Sequence, residues 1–111
     1  MAPSSSLKIA TSAVNRLVKE EASYHKELEQ QQARIAKLQK PSDDENAEYL
    51  LRQEAADETK AMFPELRQKI EEALSNLERG LSQSKSDSSE DVASAQEAVN
   101  NAKTALKQIS A

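Results

Sequence analysis

Residues Asn15–Glu27 read N-R-L-V-K-E-E-A-S-Y-H-K-E, and the spacing inside and around this stretch decides the fold. Leu7, Val14, Glu21, Leu28 and Ile35 fall at one position of a seven-residue repeat. Ala10, Leu17, Tyr24, Gln31 and Leu38 fall at the other. Eight of these ten are apolar or aromatic, with Glu21 and Gln31 as the exceptions, and residues 6–39 contain neither Gly nor Pro. The pattern predicts one helix over about 6–39, roughly 50 Å long at 1.5 Å per residue. A helix so long and so polar is not stable alone, so it must find partners.

Ser5 or Ser6 is placed to cap this helix, with residues 1–5 frayed before it. Pro41 stops it, because proline disfavours helical geometry in the residue before it. Ser42 and Glu45 then stand at capping-box spacing, and Asp43, Asp44 and Glu45 sit at the positive end of a new helix dipole. The second helix is expected over about 43–81. Its seam is Ala56, Phe63, Ile70 and Leu77, alternating with Thr59, Leu66 and Ala73. Leu50, Leu51, Met62, Leu74 and Leu81 widen the stripe, as suits a helix touching two neighbours. Glu48–Arg52 and Glu65–Lys69 are i,i+4 pairs in the favourable order. Pro64 lies inside this pattern with the apolar phase unbroken on both sides. That predicts a kinked helix rather than two helices and a loop. Gly80 is a candidate left-handed terminator, although Leu81 points to a slight continuation.

The Ser-rich run 82–88 reads as a polar loop. Ser88 or Ser89 caps a third, shorter helix over about 89–109, with Val92, Ala95 (or Gln96), Val99, Ala102, Leu106 and Ile109 on its seam. Two short loops joining three helices predict an all-α, antiparallel up-down-up bundle in a single domain over residues 1–111. The shorter third helix should leave one end of the first helical hairpin without a third partner.

Composition narrows the function classes. The 111 residues include one Gly, three Pro, one Phe and no Trp, and 31% are charged, which suits long slender helices rather than sheets. The net charge of −4 is uneven: +3 over residues 1–40, −6 over 41–81 and −1 over 82–111. The first two segments should therefore attract each other. No basic block suits nucleic acid. The absence of cysteine removes disulfides and thiolate metal sites and fits a reducing compartment. No apolar run approaches the roughly 18 residues of a membrane span, and the first residues lack a signal pattern. A cytoplasmic protein is expected.

With one His and no Cys, no nucleophile–base constellation can be built, and a single Gly excludes a phosphate-binding loop. An enzyme is not expected, nor a cofactor or metal. His25 reads as a solvated histidine between Glu21 and Glu29. Tyr24 reads as a core aromatic with its hydroxyl at the edge, and a partner contact is the alternative. Glu21 and Gln31 read as exposed, or as holding polar partners inside the bundle. Arg16, Lys19, Lys26, Arg34 and Lys37 form a basic surface on the first helix. It is either a solvated face paired with the acidic second helix or a landing surface for an acidic client.

The run Arg16-Leu17-x-Lys19-Glu20-x-x-x-Tyr24-x-x-Glu27 resembles the first helix of the tubulin-binding cofactor A family. Gln53-Glu54-x-x-Asp57-Glu58-Thr59-Lys60-x-Met62-Phe63-Pro64 resembles its second helix, including the interrupting proline. The chain departs from the pattern at Asn15, where Lys is frequent. Ala55 and Ala56 stand where larger aliphatics are usual, so packing there should be thinner. The resemblance covers about 80 residues; the third helix matches only in pattern. It implies a small three-helix bundle acting as a post-chaperonin tubulin-folding cofactor. Such a protein captures β-tubulin folding intermediates before heterodimer assembly, without nucleotide or covalent chemistry. It would be cytoskeleton-associated, with other tubulin cofactors as further candidate partners and a homodimer left open. The candidate partner-binding residues are Arg16, Lys19, Glu20, Tyr24, Lys26, Glu27, Met62, Phe63 and Pro64, the basic ones as a landing surface and the last three because a kink at Pro64 would present apolar side chains that a regular stripe buries. The rival reading is a structural coiled-coil or bundle module for dimerisation or scaffolding, with no tubulin client. A regulatory SNARE bundle lacks its following motif and anchor here, and a prefoldin-like subunit would need a β-hairpin that Lys40–Asn46 does not offer.

Overall fold

The computed structural model describes residues 6–38, 46–83 and 87–110. Three helices make up the fold: α1 (Ser6–Leu38), α2 (Asn46–Ser82) and α3 (Ser89–Ser110). The fraying of 1–5, the Ser5 cap, the stop at Pro41, the Ser42–Glu45 capping box and residues 84–86 of the Ser-rich run lie outside the described residues.

The helices alternate in direction. Along α1, the neighbours on α2 count down: Leu7 beside Gly80, Tyr24 beside Phe63, Arg34 beside Arg52. Along α3, Val99 lies with Leu81, and Ile109 with Phe63 and His25. So α2 runs against α1, and α3 runs against α2 and alongside α1. The result is an up-down-up bundle of 66 × 30 × 19 Å.

The apolar spacing explains the packing. Leu7 and Val14 of α1 meet Leu66, Ile70, Leu74 and Leu77 of α2, all buried. From α3 come Ala95, Ala98, Ala102 and Ala105, at helical spacing, with Val99. These small side chains let α3 sit close, and each larger one buried contributes about 1.5–3 kcal/mol. Ala98 and Ala105 extend the α3 seam beyond the residues its sequence pattern singles out, and Gln96 is exposed. Two buried hydroxyls are satisfied within their own helices: Thr11 Oγ1 donates to the Leu7 carbonyl at 2.8 Å and Thr59 Oγ1 to the Ala55 carbonyl at 3.1 Å.

The core is lopsided. Beyond Ile109 only α1 and α2 continue, and the residues buried on α2 there are Ala56 and Thr59. Leu50, Leu51 and Met62 were expected to widen a stripe touching two neighbours. They are instead 57%, 66% and 38% exposed. For Leu50 and Leu51 the reason is length, since 22 residues of α3 cannot reach the far end of a 37-residue α2, whereas Met62, beside Phe63, lines a groove with Tyr24 and Glu27.

Of the two readings open at Gly80, the continuation that Leu81 points to is the one found: Gly80 is not left-handed, and the helix runs on to Ser82. It closes with Ser82 Oγ donating to the Arg79 carbonyl at 2.8 Å and the Gln83 amide to the Gly80 carbonyl at 3.2 Å. For α3, Ser88 rather than Ser89 is the cap, its Oγ accepting from the Asp91 amide at 3.1 Å. On the surface of α2, Arg52 pairs with Glu48 at 2.9 Å and Lys69 with Glu65 at 3.6 Å, and Arg67 adds a pair with Glu71 at 2.8 Å. α2 runs unbroken through Pro64, as one helix.

Two outcomes follow for urea unfolding. Leu77→Ala should cost about 2–5 kcal/mol, because Leu77 is completely buried, while Leu51→Ala should stay within about 0.5 kcal/mol. Gly80→Ala should stabilise by about 0.5–1 kcal/mol. Its Cβ would meet Leu7 Cδ1 at an ordinary 3.5 Å, and alanine is the better helix former.

Candidate functional site

Phe63 is the pivot of the middle of the bundle. It is half-buried on α2 and faces two consecutive residues of α1. Tyr24 meets it edge-on, with ring centroids 6.5 Å apart and planes at 77°. His25 lies over it at 4.6 Å with planes at 31°. Edge-on aromatic contact of this kind adds to simple burial.

His25 also holds Glu21, one turn earlier, through an ion pair between Nε2 and Oε1. Glu21 is buried, whereas about a third of the His25 side chain is exposed. Neither atom has another hydrogen-bond partner among the described residues. Burial raises the Glu21 carboxyl above its ordinary range, and the charge and hydrogen bond of His25 only partly offset that. So Glu21 does have a polar partner within the bundle, the second of the two readings open to it. His25, expected to be solvated, is instead stacked and paired, because its place beside the seam turns it towards Phe63. Gln31 is half-buried, and its Oε1 is buried with no partner among the described residues.

Two grooves flank this centre. The first, about 490 Å³, is lined by His25, Leu28, Lys60, Phe63, Pro64, Arg67, Gln108 and Ile109. It opens where α3 ends. The second, about 340 Å³, is lined by Tyr24, Glu27, Gln31, Ala55, Glu58, Thr59 and Met62. A smaller hollow of about 100 Å³ continues past it between Gln31, Arg34, Arg52 and Ala55. The small Ala55 leaves space in both of these, as the thin packing expected there implies.

The nine candidate residues therefore fall on three surfaces. Phe63 and Pro64 belong to the first groove. Tyr24, Glu27 and Met62 belong to the second. Arg16, Lys19, Glu20 and Lys26 line neither and are exposed on α1. Among the described residues, Arg16, Lys19, Lys26, Arg34 and Lys37 make no ion pair. The expected pairing of this basic face with acidic α2 is thus not found; the α2 acids in ion pairs are held by cations of α2 itself. His25, Leu28, Lys60, Arg67 and Ile109 line a groove without having been singled out as binding residues. The signals were present: His25 stands four residues after Glu21, and Lys60 and Arg67 stand seven apart around Phe63.

The chemistry of these surfaces is that of contact. No group of three or more His, Asp or Glu among the described residues could hold a metal ion. Among the described residues, no helix is long and apolar enough to cross a membrane.

Comparison with known proteins gives one family. The sequence matches tubulin binding cofactor A over residues 2–106. It is 36% identical over 106 residues to tubulin-specific chaperone A of Saccharomyces cerevisiae, covering 96% of this chain and 97% of that protein. It is 37% identical over 79 residues to tubulin-specific chaperone A of Homo sapiens, covering 71% and 72%. The crystal structure of tubulin folding cofactor A from Arabidopsis thaliana superposes with a TM-score of 0.76 at 26% identity, over 88% of this chain and 92% of that one.

The buried carboxyl makes stability depend on pH in a defined direction. A carboxyl raised in the folded state contributes fully below its ordinary value of 4.5, and that contribution is lost as pH rises through the folded value. Glu21→Gln should therefore gain on the parent protein between pH 4 and pH 7. Urea unfolding of both proteins at the two pH values checks this. A parent that gains on the variant over that range would mean that pairing with His25 outweighs burial.

Proposed function

The chain belongs to the tubulin binding cofactor A family, and from that premise we propose that it is a post-chaperonin tubulin-folding cofactor. It captures β-tubulin folding intermediates by non-covalent binding, keeps them soluble and passes them towards the α/β heterodimer, in the cytoplasm and in association with the cytoskeleton. The observation that carries this reading is coverage. The match begins before α1 and reaches into the last turns of α3, and the yeast relative aligns over nearly its whole length. That extent supports a reading in which the whole bundle, rather than a shared helix, is the acting unit.

The site's chemistry supports the reading. Arg16, Lys19 and Lys26 make no ion pair among the described residues and are available to steer an acidic client, which raises the rate of capture more than the affinity. Tyr24, Met62 and Phe63 offer aromatic and flexible apolar contact beside that face. A bend at Pro64 belongs to the proposal as the means of presenting them. Other tubulin cofactors are the next partners in such a relay. The rival, a self-associating scaffold module, draws on the exposed Leu50 and Leu51.

Native gel filtration with chaperonin-released β-tubulin separates these readings, with α-tubulin and an unrelated unfolded protein as controls. Co-elution with β-tubulin alone is the expected result. A protein that elutes without any client, as a dimer, would replace the cofactor reading with the scaffold. Reversing Arg16, Lys19 and Lys26 together to Glu should slow capture about tenfold or more at low salt while helicity by circular dichroism is unchanged.

A further inference from the structure

The groove at the end of α3 differs from its neighbour in charge. Its floor is apolar, made by Leu28, Phe63, Pro64 and Ile109, and its rim carries Lys60 and Arg67. No acid lines it, whereas the groove on the other side of Phe63 carries Glu27 and Glu58. Lys60 is exposed and makes no ion pair among the described residues. Arg67 holds only Glu71, an exposed i,i+4 pair of the kind worth little and readily exchanged. Pro64 has no amide hydrogen, so the Lys60 carbonyl lacks its i+4 donor and offers an acceptor at the groove's edge.

The groove lies at the last described turn of α3, and α1 and α2 run on beyond it. Leu28 is followed at seven-residue spacing by half-buried Ile35, and Phe63 is preceded at the same spacing by buried Ala56. The seam between α1 and α2 thus continues for about two helical turns beyond the groove, with Ile35 half-buried and Ala56 closed off within it, so the open apolar surface is the groove's own, at Leu28, Phe63, Pro64 and Ile109.

We propose that this groove seats an acidic amphipathic helix of the client, laid on α1 and α2 where a longer α3 would run. Its apolar stripe covers Leu28, Phe63 and Ile109, and its carboxylates meet Lys60 and Arg67. The identity of the client rests on the cofactor reading above; the chemistry of the groove does not.

Two probes test it with the full chain. The first is a pair of fluorescein-labelled 18-residue helical peptides of about five turns, with Leu at i, i+3 and i+7 spacing, one flanked by Glu and its twin by Lys. Fluorescence anisotropy at low salt should show the Glu peptide binding at least tenfold more tightly than the twin. Lys60→Glu with Arg67→Glu, both exposed and checked for unchanged helicity, should reverse that preference. The second is β-tubulin released from the chaperonin, whose retention the same double variant should weaken at least tenfold. Equal binding of the two peptides, or none, overturns the groove proposal. So does self-association abolished by the double variant in sedimentation, which would assign the groove to a second copy. If the Glu peptide binds but no β-tubulin is retained, the groove stands and the cofactor reading falls. If β-tubulin is retained equally by parent and variant, the groove proposal falls and the cofactor reading stands.

Discussion

Twenty-two residues at 1.5 Å each give α3 about 33 Å, against about 50 Å for α1 and 55 Å for α2. Most of the architecture depends on that mismatch. Where three helices run together, Leu7, Val14, Ile70 and Leu77 are shut away from water. Where α3 has ended, the same kind of seam buries only small or polar side chains of α2, and leucines of the same helix face solvent. The boundary between the two regimes falls at Phe63, and there the chain places its aromatic contacts, Pro64 and a groove of about 490 Å³. A core residue and a binding residue are thus the same kind of residue, separated only by whether α3 reaches it.

The fold was legible because spacing along a helix is a one-dimensional signal. The seven-residue repeat in α1 and the phase held through Pro64 in α2 needed no knowledge of neighbours. What spacing could not supply was the third dimension. Leu50 and Leu51 carry the same apolar signal as Leu74, and only the reach of α3 tells them apart. Gly80 carries the signal of a helix end, yet Leu7 packs against it and the helix runs on. The site was less legible still. Lys60 and Arg67 look like ordinary surface cations until the end of α3 opens a groove beside them. His25 looked solvated because a sequence shows its acids at i±4 but not the ring of Phe63 across the interface. The motif residues on α1 marked the family correctly, although those singled out for binding divide between two surfaces rather than converging on one.

Membership of the tubulin binding cofactor A family and the physical layout meet at one point: an all-helical surface fitted for contact. Glu21 illustrates the cost of that layout. Its carboxylate is buried at the heart of the bundle and only partly compensated by His25. An apolar side chain there would make a plainer core. The pair instead carries the histidine ring onto Phe63 and so shapes the wall of the groove.

The thinness of the two-helix end has a consequence for motion. Free energies of local opening vary across a protein, and segments with few buried apolar contacts open first. Among the described residues of 29–37 and 47–59, only Ala56 and Thr59 are buried, and Gln31, Ile35, Tyr49, Arg52, Gln53 and Ala55 are half-buried. Their amides should exchange with solvent through partial openings that leave the three-helix portion intact, as a unit distinct from global unfolding. The molecule then has a stiff half and a soft half, joined at Phe63. A partner that adds the missing third layer would slow exchange in the soft half, and its free energy of ordering would be subtracted from the affinity observed.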